Sequence, residues 1–179
     1  YLIFILLLVG CIATRRPTTE AGWITFNSPN IAKLIIDYPS DWSALRFSNG
    51  YKGDDEIVAI LYAPGILTFP NVTIIRRPMT SPTLASVSEW GESRILALNN
   101  EEDDEFELFQ LIEVNVGGET ALSREYIMDT ETPLPLKKQD IYIATESDAL
   151  IITFSDRVER YDETIHLFQH MLSTYTTAP

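Results

Sequence analysis

An α+β domain, with an antiparallel sheet and helices on its faces, is the fold class this sequence predicts, and three observations predict it. Short runs rich in β-branched and aromatic residues succeed one another with turn signals between them, as hairpin-linked strands do. Gly117-Gly118 falls between two such runs, and paired glycines supply the positive φ angles that a two-residue hairpin turn demands. Two other stretches repeat their apolar residues at spacings of three and four, the mark of a helix with one buried face. The order of strands, helix, a run of strands and a closing helix belongs to the α+β class. With 45% hydrophobic residues in 179, the chain has material for one ordinary core.

Three segments are expected: a leader over 1–11, a tether over 12–22 and the domain over 23–179. Tyr1 to Val9 is an almost unbroken apolar run, as long as a signal-peptide hydrophobic region and short of the ~20 residues that span a bilayer. Leu8-Val9-Gly10-Cys11 resembles the bacterial lipobox, in which aliphatic and small residues precede a cysteine that becomes the acylated N-terminus. Because the chain opens on Tyr1 with no basic region ahead of the apolar run, the leader is expected to be truncated. A truncated transmembrane anchor is the alternative. Ile12 to Gly22, with Arg15, Arg16, Pro17 and Glu20, has little to bury.

Within the domain, Gly22 to Phe26 and Ala32 to Tyr38 read as a hairpin turned by Asn27-Ser28-Pro29-Asn30. Pro39 has no N–H to donate and stops the second strand, and Ser40-Asp41 turns Trp42 back toward the core. Ile57 to Tyr62 and Asn71 to Ile75 are two more strands. Leu84, Val87, Gly91, Ile95 and Leu98 define a helix with Thr83 as its N-cap. Glu101 to Glu105 reads as an acidic loop. Phe106 to Val116, Thr120 to Met128, Asp140 to Thr145 and Ala149 to Phe154 supply the remaining strands. Val158, Tyr161, Ile165, Phe168, Leu172 and Tyr175 define the last helix, opened by Asp156 and Glu159 as a capping box. Trp23 and Trp42 are assigned to the core, and Trp90, one position off its apolar stripe, to the surface.

The formal charge of −13, from 26 acidic and 13 basic residues, repels phosphate backbones and gives nucleic-acid binding no support. A single cysteine excludes an internal disulfide, a Cys-x-x-Cys pair and a thiolate zinc site. His166 and His170 stand at i and i+4, a spacing that lets two imidazoles share a metal, but on the wheel they lie opposite the apolar stripe, in solvent. Asp54-Asp55-Glu56 and the Glu102-Asp103-Asp104 stretch offer oxygen ligands without the alternating spacing of a calcium loop, and solvated acidic loops are the plainer account. There is no Gly-x-Ser-x-Gly elbow and no phosphate-cradling glycine loop. No catalytic residue, resident metal or cofactor is assigned, and the chain is expected not to be an enzyme.

Trp23 on a first strand, Ile36-Asp37-Tyr38-Pro39-Ser40-Asp41-Trp42, the Thr83-Leu84-Ala85-Ser86-Val87 helix start, Ala149 to Phe154, and a helix ending Met171-Leu172-Ser173-Thr174-Tyr175 together resemble the PsbP-like proteins. That family is named for an extrinsic subunit of the photosystem II oxygen-evolving complex and includes bacterial lipoproteins. The resemblance covers Trp23 to Tyr175, and Tyr-Pro-x-x-Trp is its compact motif. It implies an α-β-α sandwich and a non-enzymatic role in binding or assembly. The function expected is that of an extracytoplasmic module, anchored in the lipid bilayer through acylated Cys11, that binds an unknown protein partner or helps assemble a complex. A binding protein for a small ligand or divalent cation, using the acidic loops, is the alternative. A broad exposed apolar patch would favour the first, an apolar pocket with convergent polar groups the second, and a cleft with two facing carboxylates an enzyme.

Overall fold

The structure, a computed structural model, describes residues 22–28, 34–47, 55–65, 69–102, 106–128 and 134–177. Its elements are β1 (Trp23–Ser28), β2 (Leu34–Pro39), β3 (Ser43–Arg46), β4 (Glu56–Tyr62), β5 (Asn71–Pro78), α1 (Leu84–Glu102), β6 (Glu107–Val116), β7 (Glu119–Met128), β8 (Leu136–Ala144), β9 (Asp148–Arg157), α2 (Val158–Thr174) and β10 (Thr176–Thr177). Seven strands form one sheet in the order β3-β4-β5-β9-β8-β7-β6, antiparallel throughout, and β1-β2-β10 form a smaller one.

Ala149 to Phe154 is apolar at every position but Thr153 because β9 is covered on both faces. Successive side chains on a strand point to opposite sides. Leu150, Ile152 and Phe154 join Tyr161, Phe168 and Met171 of α2, together with Phe26 and Ile36 of the small sheet. Ala149 and Ile151 join Val87 and Trp90 of α1. The result is an α-β-α sandwich with β9 and its neighbours β5 and β8 in the middle. Each large side chain buried there contributes about 1.5–3 kcal/mol.

Local chemistry places both helices. The Thr83 hydroxyl accepts from the Ser86 N–H at 3.2 Å while the Ser86 hydroxyl accepts from the Thr83 N–H at 2.9 Å, a reciprocal cap at the start of α1. Gly91 lets the helix press onto the sheet, since a Cβ there would run into the Tyr142 ring. Gly117 and Gly118, at φ +59° and +91°, make the tight β6–β7 turn, and Gly117 also abuts the Tyr175 carbonyl, so the hairpin end is clamped to the C-terminus of α2. In the Tyr-Pro-x-x-Trp motif, the Ser40 N–H donates to the Gly22 carbonyl at 2.7 Å and the Trp42 N–H to Pro39 at 3.0 Å, folding the buried Trp42 back onto the core.

Several expectations are corrected. Asp156 does not cap α2: Arg157 holds the N-cap position without a side-chain cap bond. Asp156 is instead fully buried at the end of β9, accepting from the Arg157 N–H at 2.8 Å, Arg160 at 2.7 Å and the Thr164 hydroxyl at 2.7 Å. The buried stripe of α2 runs Tyr161, Thr164, Leu167, Phe168 and Met171, leaving Val158 exposed and Ile165 and Leu172 half-buried. Helical side chains lean toward the N-terminus, so the face that meets the sheet is rotated from a simple wheel. Trp90 is buried and Trp23 only half-buried, the reverse of their assignments relative to each other. Glu101 and Glu102 belong to α1, not to a loop. β3 and β10 carry no strand signal in the sequence, and β8 starts at Leu136, earlier than its apolar run.

Candidate functional site: an exposed sheet edge and a polar layer beneath the first helix

Among the described residues, those singled out from sequence do not converge. His166 and His170 are exposed on α2, and the His170 ring lies 4.0 Å from that of Trp23. Asp55 takes both Arg77, at 2.6 Å from its Nε, and Arg94, while the Trp90 indole N–H donates to it at 3.3 Å. Glu56 pairs with Arg76 at 3.3 Å, and the same guanidinium holds Asp148 at 2.7 Å. Both acids are thus committed to arginines. Cys11, Asp54, Asp103 and Asp104 lie outside the described residues, as does the side chain of Glu102. Among the described residues no group of three or more His, Cys, Asp or Glu is arranged to hold a metal ion.

A polar layer that the sequence did not reveal lies between α1 and the sheet. Asp140, on β8, is 4% exposed and accepts from the Thr153 hydroxyl at 2.6 Å and the Tyr126 hydroxyl at 3.4 Å. Burial pushes its carboxyl up to about 6, against the opposing pull of the Thr153 hydrogen bond and of Lys138 and Arg94. Burial likewise raises Tyr126 and Tyr142, and the nearby Asp140 charge adds to both. The Tyr142 hydroxyl is buried in the same layer.

Arg124 joins this layer to the edge of the sheet. Its Nε donates to Glu92 of α1 at 2.8 Å, while its other arm donates to the Phe109 carbonyl of β6. That carbonyl sits in a bulge, where Leu108 pairs with Tyr126 but Leu111 pairs with Arg124. β6 is the last strand of the large sheet and pairs only with β7 among the described residues. It exposes Leu108, Phe109 and Ile112 at 45%, 39% and 49%. A long edge strand with apolar side chains and an open row of backbone groups is a template for adding another strand. The opposite edge, β3, has four residues, and its Arg46 folds back over the Phe26 ring to reach the Asn27 carbonyl at 2.8 Å.

The two-sided antiparallel sandwich defines the class: an α+β protein of the PsbP-like fold. Compared with solved structures, the chain is similar to cyanobacterial PsbP (CyanoP) from Synechocystis sp. PCC 6803, at 14% identity and TM-score 0.69, over 94% of this chain and 99% of that one. It is also similar to LpqN of Mycobacterium tuberculosis, described as involved in cell envelope biogenesis, at 14% identity and TM-score 0.58, over 89% and 92% of the two chains. A Pseudomonas aeruginosa protein of unknown function matches at 15% identity and TM-score 0.51, over 88% and 98%. No protein-family model and no curated protein sequence matches the chain. At these identities the likeness establishes the fold, and function has to come from the surface.

Proposed function

We propose that the chain is a non-catalytic binding module, held outside the cytoplasm by lipid on Cys11, that engages a protein partner at the membrane surface. The observation that carries this reading is the exposed apolar edge, Leu108, Phe109 and Ile112, on a sheet whose central strands are covered on both faces. Apolar side chains grouped on one open strand mark an interaction site more than scattered ones do. No helix among the described residues is long and apolar enough to cross a membrane. A diacylglyceryl group with a further acyl chain would anchor stably where a single chain would not. The cation-binding alternative loses support from Asp55 and Glu56, which are already paired with arginines.

The test expresses the chain in a bacterium with a start Met and basic residues added ahead of Tyr1 to complete its leader, beside Cys11→Ala. Mass spectrometry should find the mature protein starting at Cys11 with lipid mass, and the variant without it. A photo-crosslinking residue at position 112 should then join the membrane-held protein to a discrete partner, while one at the exposed position 89 on α1 should not. An unlipidated chain, or equal crosslinking at both positions, would overturn the reading.

A further inference from the structure

The β6 edge has a chemistry that selects its occupant. Register with β7 assigns the outer residues to faces: Ile112, Val114 and Val116 lie opposite Ser123, Ala121 and Glu119, and Leu111, Glu113 and Asn115 lie opposite Arg124, Leu122 and Thr120. Directly paired residues share a face of the sheet. Ala121 and Val116 belong to the core on the α2 side, so Ile112 and Val114 continue that side outward as an apolar row. On the other side the row is headed by Glu113, which is exposed. The bulge between Leu108 and Leu111 shifts the register of β6, which limits an added strand in one continuous register to Leu111–Val116. The clamp of Gly117 on Tyr175 and the hold of Arg124 on the Phe109 carbonyl fix both ends of that stretch.

We propose that Leu111–Val116 is a strand-addition site for an extended segment of another protein that alternates apolar and basic residues. This rests on the binding-module reading and deepens it. The apolar residues of the incoming strand extend the row of Ile112 and Val114, and a Lys or Arg on its other face meets Glu113. A second copy of this chain is the wrong occupant. Antiparallel pairing of two such edges brings two Glu113 carboxylates into the same few rungs, between molecules that each carry a formal charge of −13. Like charges opposed across strands destabilise the pair, and opposite charges stabilise it.

The full chain in detergent is titrated with a short peptide alternating Lys and Val, its Glu-and-Val counterpart, and a Lys-and-Pro version that cannot pair as a strand. The Lys–Val peptide should bind and slow hydrogen exchange of amides within Leu111–Val116, and the Lys–Pro peptide should do neither. Glu113→Lys should weaken Lys–Val binding by about tenfold or more and strengthen binding of the Glu–Val peptide. Glu89→Lys makes the same charge change away from the edge and should leave both nearly unaltered. Equal loss in the two variants would mean diffuse charge attraction, and protection outside β6 would mean another site. Concentration-dependent dimerisation that protects β6 would name a second copy as occupant. Each of these outcomes overturns the proposal. Were the peptide not to pair while position 112 still crosslinked in membranes, strand addition would fall and the binding-module reading would stand.

Discussion

The two faces of the large sheet are built from the same strands, yet they are held to their helices by different means. On the α2 side the contact is a packed apolar core, in which Phe154 stacks on Phe168 at 5.3 Å and meets the edge of Tyr161 at 5.5 Å. On the α1 side the apolar part is smaller, centred on Trp90, Tyr142 and Ile151, and polar groups fill the rest: Asp140 with Thr153, Glu92 with Arg124, and Asp55 between Arg77 and Arg94 over the Trp90 ring. Burying apolar area is non-directional and tolerant, whereas burying a carboxylate costs free energy unless its partners stay in place. The α2 side therefore supplies most of the apolar stabilisation, with Asp156, held by Arg160 and Thr164, as its buried carboxylate, whereas the α1 side relies more on polar pairing and holds the carboxyl that burial raises, Asp140.

The sharpest way to break this contrast is Phe168→Ala, which empties the centre of the α2 core and should cost about 3–5 kcal/mol in urea unfolding. A loss as small as that of a surface substitution would show that α2 is not the chief source of stability. Asp140→Asn probes the other face. Folding raises the Asp140 value to about 6, so the protonated form is the one the fold favours. Its contribution is fully present below the ordinary carboxylate range, near pH 4, and is lost as pH rises through 6. The amide cannot ionise and still accepts from Thr153. The variant should thus match the parent near pH 4 and exceed it by about 1–3 kcal/mol at pH 7. A pH-independent difference would mean that Asp140 is not strained as an anion. The smallest effect is expected from Thr83→Ala, which removes the α1 cap at a cost of about 1 kcal/mol. Hydrogen exchange should show that loss as faster opening of the first turn of α1, with α2 unchanged.

Fold class was legible in the sequence because it depends on period and turn chemistry, which are local. Gly117-Gly118, the Thr83 cap and the largely apolar run of Ala149 to Phe154 each state a geometry without reference to the rest of the chain. The candidate site was hardly legible. Asp140 looks like the polar opening of a strand, and only pairing with β7 and β9 reveals Tyr126 and Thr153 beside it. Trp90 looked like a surface residue because a wheel cannot show Arg77 and Asp55 arriving from other elements. Asp156 fitted a capping box by spacing alone, yet the strand before it ran on and carried its carboxylate inside.

β6 shows where the boundary lies. Its residues by themselves determined that it is a strand and that it joins β7 through a tight turn, since apolar β-formers and two glycines leave few other conformations. Whether Leu108, Phe109 and Ile112 would be core or surface was decided only when β6 became the last strand in the order, beyond the cover of either helix. Local preference sets the shape of an element, but its neighbours set how much water it meets, and those are fixed by long-range pairing that no window of sequence contains.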